Sequence, residues 1–270
     1  MKQARRNKLS IFHQELESTS FSARTKQNKM AAEQKQHRQH YDVIVVGAGV
    51  HGSACAYKLT TQLPTNSHIL LLEQFSPLHN KGSSHGHSRI CRFSDSDPVY
   101  AAMGRESIVQ WRQIQRLAGY GESDPTRVYH QTGGLDFGDN GDPQLNRVIQ
   151  SASEVGFDIE VWDAEQLRSK FPILSGVPDT YRAVYQEDAG ILDAECAVDM
   201  FHRLCRQSSR VSCDIHWNER IGDIKDCSSS AENDNVVHVQ TNVTSYTCSK
   251  LVLTCGAWIP QIVKRNFQLD

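Results

Sequence analysis

DVIVVGAGVHGSACAYKL, residues 42–59, is the stretch on which the fold turns. Val43 to Val46 form a short apolar run rich in valine, without the alternation of a half-exposed strand. Such a run suits a strand buried on both faces of a parallel sheet. Gly47 follows at once. Alanines and leucines then recur at helical spacing as far as Pro64, which ends the helix. HILLLE, residues 68–73, reads as a second buried strand. Strand, glycine turn, helix and strand with short connections make a βαβ unit, and the class is α/β with a parallel sheet.

The turn carries Gly47-Ala48-Gly49-Val50-His51-Gly52, a GxGxxG pattern between strand and helix. In that context each glycine has a task. Gly47 permits the tight turn, Gly49 lets the backbone approach a pyrophosphate, and Gly52 lets helix and strand pack closely. The phosphates of a dinucleotide then meet free N–H groups and the positive end of the helix dipole. Glu73 closes the second strand, where a carboxylate accepts hydrogen bonds from adenosine ribose hydroxyls and repels a 2′-phosphate. His51, in the first helical turn, reads as solvent-facing. The pattern alone does not separate FAD from NAD.

Further along, GSSHGHSRICR (residues 82–92) packs two histidines, two arginines and three serines into one loop. Asp97-Pro98 then caps a helix whose buried stripe is Ile108, Trp111, Ile114 and Leu117. Residues 126–192 have their own strand, helix and strand character: HQTGGLDFG, QLNRVIQSASEVG and RAVYQEDAGILD. Asp193 caps another helix, with Ala197, Val198, Phe201 and Leu204 inward. VSCDIHW, a hairpin through VVHVQTN and SYTCS, and a buried strand in KLVLTCGAW return to the first sheet's chemistry. The expected division is a basic, unstructured extension over 1–40, a discontinuous nucleotide domain over 41–125 and 193–270, and an inserted α+β segment over 126–192.

The formal charge is -2, with nine Lys/Arg against three Asp/Glu in residues 1–40 and 20 against 28 in the rest. The main body is thus mildly acidic, with no global attraction to nucleic acid or anionic membranes. No apolar run is long enough to span a bilayer. The eight cysteines show no CxxC and no regular spacing. They read as reduced thiols of an intracellular protein. His79, His85 and His87 lie close in sequence but lack the accompanying ligands of a metal site, and none is expected.

Taken together, DVIVVGAGVHGSACAYKL, LLLEQFSPLHNKGSSHGHSRICR and VLTCGAW resemble the flavin amine oxidases of the monomeric sarcosine oxidase and pipecolate oxidase family, within the D-amino acid oxidase superfamily. The resemblance implies a Rossmann-type FAD-binding domain with an inserted, incomplete α+β substrate domain. It implies FAD held by Gly47, Ala48, Gly49, Val50, His51, Gly52, Glu73, Gln74, Ser83, Ser84, His85, Arg89, Gly256 and Trp258. It places Arg92 at the substrate carboxylate, with Arg89 and His85 as further catalytic groups at the flavin. Arg89 and Arg92 would share one side of a helical turn. One guanidinium then pairs with a carboxylate while the other stabilises negative charge on reduced flavin.

The implied reaction oxidises a small secondary amino acid, such as sarcosine, L-pipecolate or L-proline, to an imine, with dioxygen as acceptor and hydrogen peroxide as product. Relatives are often peroxisomal, so peroxisome or cytoplasm is the expected location, and the complete form is expected to be a monomer. Family members continue for a comparable length beyond LTCGAW, and the expectation is a truncated chain that lacks the covalent flavin anchor and leaves apolar faces uncovered. Two alternatives accompany the oxidase: a non-catalytic dinucleotide-binding remnant or interaction module, and a nicotinamide dehydrogenase, against which Arg89 and Arg92 speak.

Overall fold

The computed structural model describes residues 38–121, 124–226 and 236–267. The expected extension therefore falls, except for its last residues, outside the described part. The first strand, β1, spans His40–Val46, helix α1 spans Val50–Gln62, and β2 spans His68–Leu72. Both strands run parallel, Val43 opposite Ile69 and Val46 opposite Leu72. They sit inside a six-stranded sheet of order β10-β11-β12-β1-β2-β9. Here β9 is Ser212–His216, β10 Ile221–Asp226, β11 Val237–Thr241 and β12 Ser245–Leu253. The three inner pairings around β1 and β2 are parallel, and β10-β11-β12 is antiparallel.

The uninterrupted apolar runs follow from this position. Ile44, Val46, Leu70 and Leu72 pack to one side with Tyr41, Val239 and Tyr246. Val43, Val45, Ile69 and Leu71 pack to the other with Ala56 of α1 and Cys205. Successive strand residues alternate faces, so only a sheet covered on both sides needs every position apolar. Cys205 belongs to helix α5, Ala194–Gln207, which lies against α1. Asp193 caps it by accepting from Cys196 N at 2.9 Å.

Helix α2, Pro98–Leu117, begins as expected, with Asp97 accepting from Val99 N. Ile108 and Ile114 are buried and Trp111 packs beside them. Leu117 is 63% exposed, contrary to the expected stripe. It is the last helical residue, and the chain turns away at Gly119 before anything covers that face.

A second correction concerns the loop arginines. Arg89–Cys91 form a short strand, β3, and no helical turn. Extended residues three apart project to opposite sides, so Arg89 and Arg92 do not share a face through helical spacing. Strand β3 pairs with β8, Gly190–Leu192, which also pairs with β4, Tyr129–Gln131. A third sheet, order β5-β7-β6, joins Gly134–Asp139, Tyr181–Gln186 and Glu160–Asp163. RAVYQEDAGILD is accordingly two strands in two sheets. SYTCS and KLVLTCGAW share the nine-residue β12, where two separate strands were expected.

Helix α3, Pro143–Glu154, matches the sequence pattern. Strand β6 and the following helix α4, Ala164–Lys170, were not foreseen, although Asp163 and Gln166 form a capping box visible as D-x-x-Q. The last helix, α6, is Ile259–Phe267. Every cysteine among the described residues is free.

Candidate active site

The β1–α1 turn is held from below before any ligand arrives. Gly47 N donates to Leu72 O at 2.7 Å, and Gly47 adopts φ +100°. A Cβ on Gly52 would lie 1.8 Å from Gly47 O, so helix and turn touch through that glycine. Helix α1 has no acidic residue in its first turn and no side-chain cap from Gly49. Its positive end therefore faces the cleft without a carboxylate of its own, the arrangement that receives an anion. Val50 N donates to Ser84 Oγ at 3.0 Å, so the loop after β2 supplies an oxygen where the helix needs an acceptor.

The cleft above this turn has a volume of about 450 Å³. Gly47, Ala48, Gly49, Val50, His51, Glu73, Gln74, Ser83, Ser84, His85, Gly256 and Trp258 all line it. Gly52 lies just beneath. Glu73 is 6% exposed and its carboxylate is oriented on both oxygens. Oε2 accepts from Ala48 N at 2.9 Å and Oε1 from Phe75 N at 3.0 Å, with His79 Nε2 3.5 Å from Oε1. Each oxygen keeps a further lone pair for a ribose hydroxyl. Phe75 makes edge contacts with Trp258 and tilts against His79, forming an aromatic wall beside Glu73.

Arg89 and Arg92 stand outside the residues that line the cleft. The Arg89 guanidinium donates to the carbonyls of Ser83, His85 and Ser88, which ties the exposed loop to itself. Arg92 donates to Ser94 O and to Ser94 Oγ, and lies 3.6 Å from Asp136 of β5. The structure thus brings the Gly47–Gly52 turn, Glu73 and the Ser83–His85 segment together around the cleft, with Arg89 bonded to that segment from outside the lining and Arg92 held away at Ser94 and Asp136.

Several lining residues were not anticipated. Glu195, in the first turn of α5, accepts from Gly86 N at 2.9 Å and anchors the loop. Thr254 Oγ1 donates toward Val46 O and Gly47 O at the end of β12, holding the turn from its other side. Buried Glu219 accepts from Thr241 at 2.7 Å and pairs with His216 at 3.1 Å. His202 is 3% exposed, with Nε2 2.7 Å from Ser53 Oγ and its ring edge-on to Trp217. Burial, aided by Arg206, pushes the His202 imidazole down to about 4. The one sequence signal for it was spacing, since it follows Val198 by four on the inner face of α5.

Burial pushes the Cys91 and Cys255 thiols up to about 11, so both stay protonated near neutrality and neither is poised as a nucleophile. Among the described residues no group of three or more His, Cys, Asp or Glu could hold a metal, and no helix is long and apolar enough to cross a membrane.

A glycine-cradled helix N-terminus, a buried carboxylate at the end of the second strand and an adjoining cleft define a dinucleotide-binding α/β protein. Comparison with known proteins narrows this class. The family described as FAD dependent oxidoreductase (DAO) matches residues 42–269. A probable sarcosine oxidase of Arabidopsis thaliana is 33% identical over 230 residues, 85% of this chain and 52% of that protein. The peroxisomal sarcosine oxidase of Mus musculus is 30% identical, over 83% of this chain and 52% of that one. In solved structures, NikD, an unusual amino acid oxidase, superimposes with a TM-score of 0.67 at 21% identity, covering 84% of this chain and 54% of that one. Glycine oxidase from Geobacillus kaustophilus gives 0.66 at 16%, covering 84% and 58%; both likenesses bear on fold alone. The chain belongs to the FAD dependent oxidoreductase family, whose cofactor is FAD, and it spans about half the length of the curated relatives it matches.

Proposed function

We propose that this chain supplies the FAD-binding part of an amino acid oxidase acting on a secondary or N-methyl amino acid. The overall reaction takes the substrate to its imine, with dioxygen as electron acceptor and hydrogen peroxide as product. The observation that carries this reading is the cleft itself: the phosphate turn, Glu73 and the GSSHG segment converge on one space. Relatives named as sarcosine oxidases and N-methyl-L-tryptophan oxidases support the substrate class. The name of the mouse relative supports a peroxisomal location, with the cytoplasm as the other intracellular site. We also assign the chain to a discontinuous cofactor domain, 41–125 with 193–270, and a substrate-side segment, 126–192, joined through the β3-β8-β4 sheet. The complete form is assigned as a monomer.

Bound FAD would supply the hydride-accepting chemistry at the carbon beside the amine nitrogen. The Gly47–Gly52 turn would receive its pyrophosphate, and Glu73 would accept from its adenosine ribose. Ser83, Ser84 and His85 bring backbone and small side chains close to the cofactor, while Phe75 and Trp258 exclude water from the wall. Arg89 keeps that segment in shape by binding its carbonyls. Arg92 is the candidate carboxylate-binding group, and it engages substrate by exchanging Asp136 and Ser94 for the incoming carboxylate.

The purified chain supplied with FAD is expected to retain flavin, and sarcosine or another N-methyl amino acid is expected to bleach the flavin's visible absorbance without oxygen. Arg92→Ala should impair this bleaching at least about tenfold, the effect of about 1.4 kcal/mol, while flavin content stays within twofold. Equal loss of both, with the fold intact, would move Arg92 to a cofactor role. Recovery of nicotinamide in place of flavin would overturn the oxidase reading. A second reading, cofactor binding without turnover, is favoured by the Arg92–Asp136 pairing. Bound flavin that no amino acid bleaches would select it.

A further inference from the structure

Buried beneath the phosphate turn is a polar pair that the chemistry above does not use. His202 reaches from α5 to α1, with Nε2 2.7 Å from Ser53 Oγ, and both side chains are at most 3% exposed. The Ser53 hydroxyl donates to Ala48 O at 2.9 Å, inside the GxGxxG turn. A hydroxyl has one proton to give. Because it goes to Ala48 O, Ser53 Oγ accepts at the other contact, and His202 Nε2 carries the hydrogen.

The chain of bonds therefore runs in one direction, from imidazole N–H to hydroxyl to turn carbonyl. It fixes the Ala48–Gly49 peptide, next to the Gly47–Ala48 peptide whose N–H donates to Glu73 at the cleft. Trp217 packs edge-on to the imidazole at 5.1 Å and limits its rotation. Alanine and leucine suffice for simple packing at such a helix contact. A buried, oriented donor is a costlier choice unless its direction matters.

We propose that His202 and Ser53 are positioning residues that lock the Gly47–Gly52 turn in the shape that receives a pyrophosphate, acting on FAD through Ala48 and touching no reacting atom. The ligand class is a nucleoside diphosphate group, and the inference rests on the FAD-binding reading above. Charge supports the assignment of a neutral donor, since burial and Arg206 both disfavour protonating this imidazole.

The test measures FAD affinity by flavin fluorescence and ADP and adenosine affinities by calorimetry on the full chain. His202→Leu is expected to weaken FAD and ADP about tenfold, the scale of one buried hydrogen bond in a network, and to leave adenosine within twofold. His202→Gln, whose amide N–H takes the place of Nε2–H, should recover most of the loss, which a merely space-filling role would not produce. Ser53→Ala should match His202→Leu, and the double variant should be no weaker than either single one, because one chain of bonds is being cut. Ser53→Ala also keeps the test open if His202→Leu does not fold.

Unchanged FAD and ADP binding in the variants, equal loss of adenosine, or additive losses would each overturn the proposal. A wild-type chain that binds neither FAD nor ADP would remove the FAD-binding reading and this inference together. Wild-type binding with unaffected variants would remove this inference alone.

Discussion

At the scale of single residues, Gly52 shows how little room the Gly47–Gly52 turn allows. Its missing Cβ would lie 1.8 Å from Gly47 O, a backbone atom that a side-chain rotation cannot relieve. Gly52→Ala is expected to cost about 3 kcal/mol or to prevent folding, and urea unfolding of the variant checks this. His202 gives a pH dependence of defined sign. Its imidazole titrates near 6.5 when free and is pushed down to about 4 in the fold. Between these values the unfolded chain binds the extra proton and the folded chain does not. Stability conferred by the neutral buried form is complete above about pH 6.5 and is lost as pH falls toward about 4, by up to about 3 kcal/mol. His202→Leu should flatten that part of the stability profile measured by urea unfolding. An unaltered slope in the variant would assign the acid sensitivity to other groups.

At the scale of elements, α5 unites the site. It carries Glu195, which anchors the Gly86 loop, and His202, which supports the turn, while its inner face packs on α1. Its entry is set by Asp193, whose side chain accepts from Cys196 N. Asp193→Ala should lower unfolding free energy by about 1 kcal/mol, and Asp193→Asn should cost less, because Asn also caps well. Equal loss in the two variants would argue for charge over capping. This cap was legible in sequence, as was that of α2, because a short polar side chain before an apolar periodic run is a local signal. Strand β3 was not. Three residues give too little periodicity to reveal a strand, and its partner β8 lies about a hundred residues away, so only pairing made Arg89–Cys91 extended.

At the scale of the whole molecule, the sheets do not all have both faces covered. Ile90 of β3 and Ile191 of β8 are directly opposite in register and are 78% and 41% exposed. Adjacent apolar side chains on a strand pair favour association. The isolated chain is expected to scatter more light per unit mass as its concentration rises, and Ile90→Thr should reduce the effect. A monodisperse monomer at all concentrations tested would contradict this expectation.

The sequence determined the central βαβ unit and pointed to many of the residues that line the cleft. That information is local: an apolar run, three spaced glycines and a terminal carboxylate act through neighbouring backbone. Tertiary structure decided what the arginines do and what lies under the turn. Arg89 and Arg92 find partners only once the loop folds and β5 brings up Asp136, so their spacing misled as a guide to facing. His202 and Ser53 are 149 positions apart in the chain, and meet because α5 packs on α1. Hydrogen bonds of that range depend on how whole elements stack, which neither periodicity nor a motif encodes.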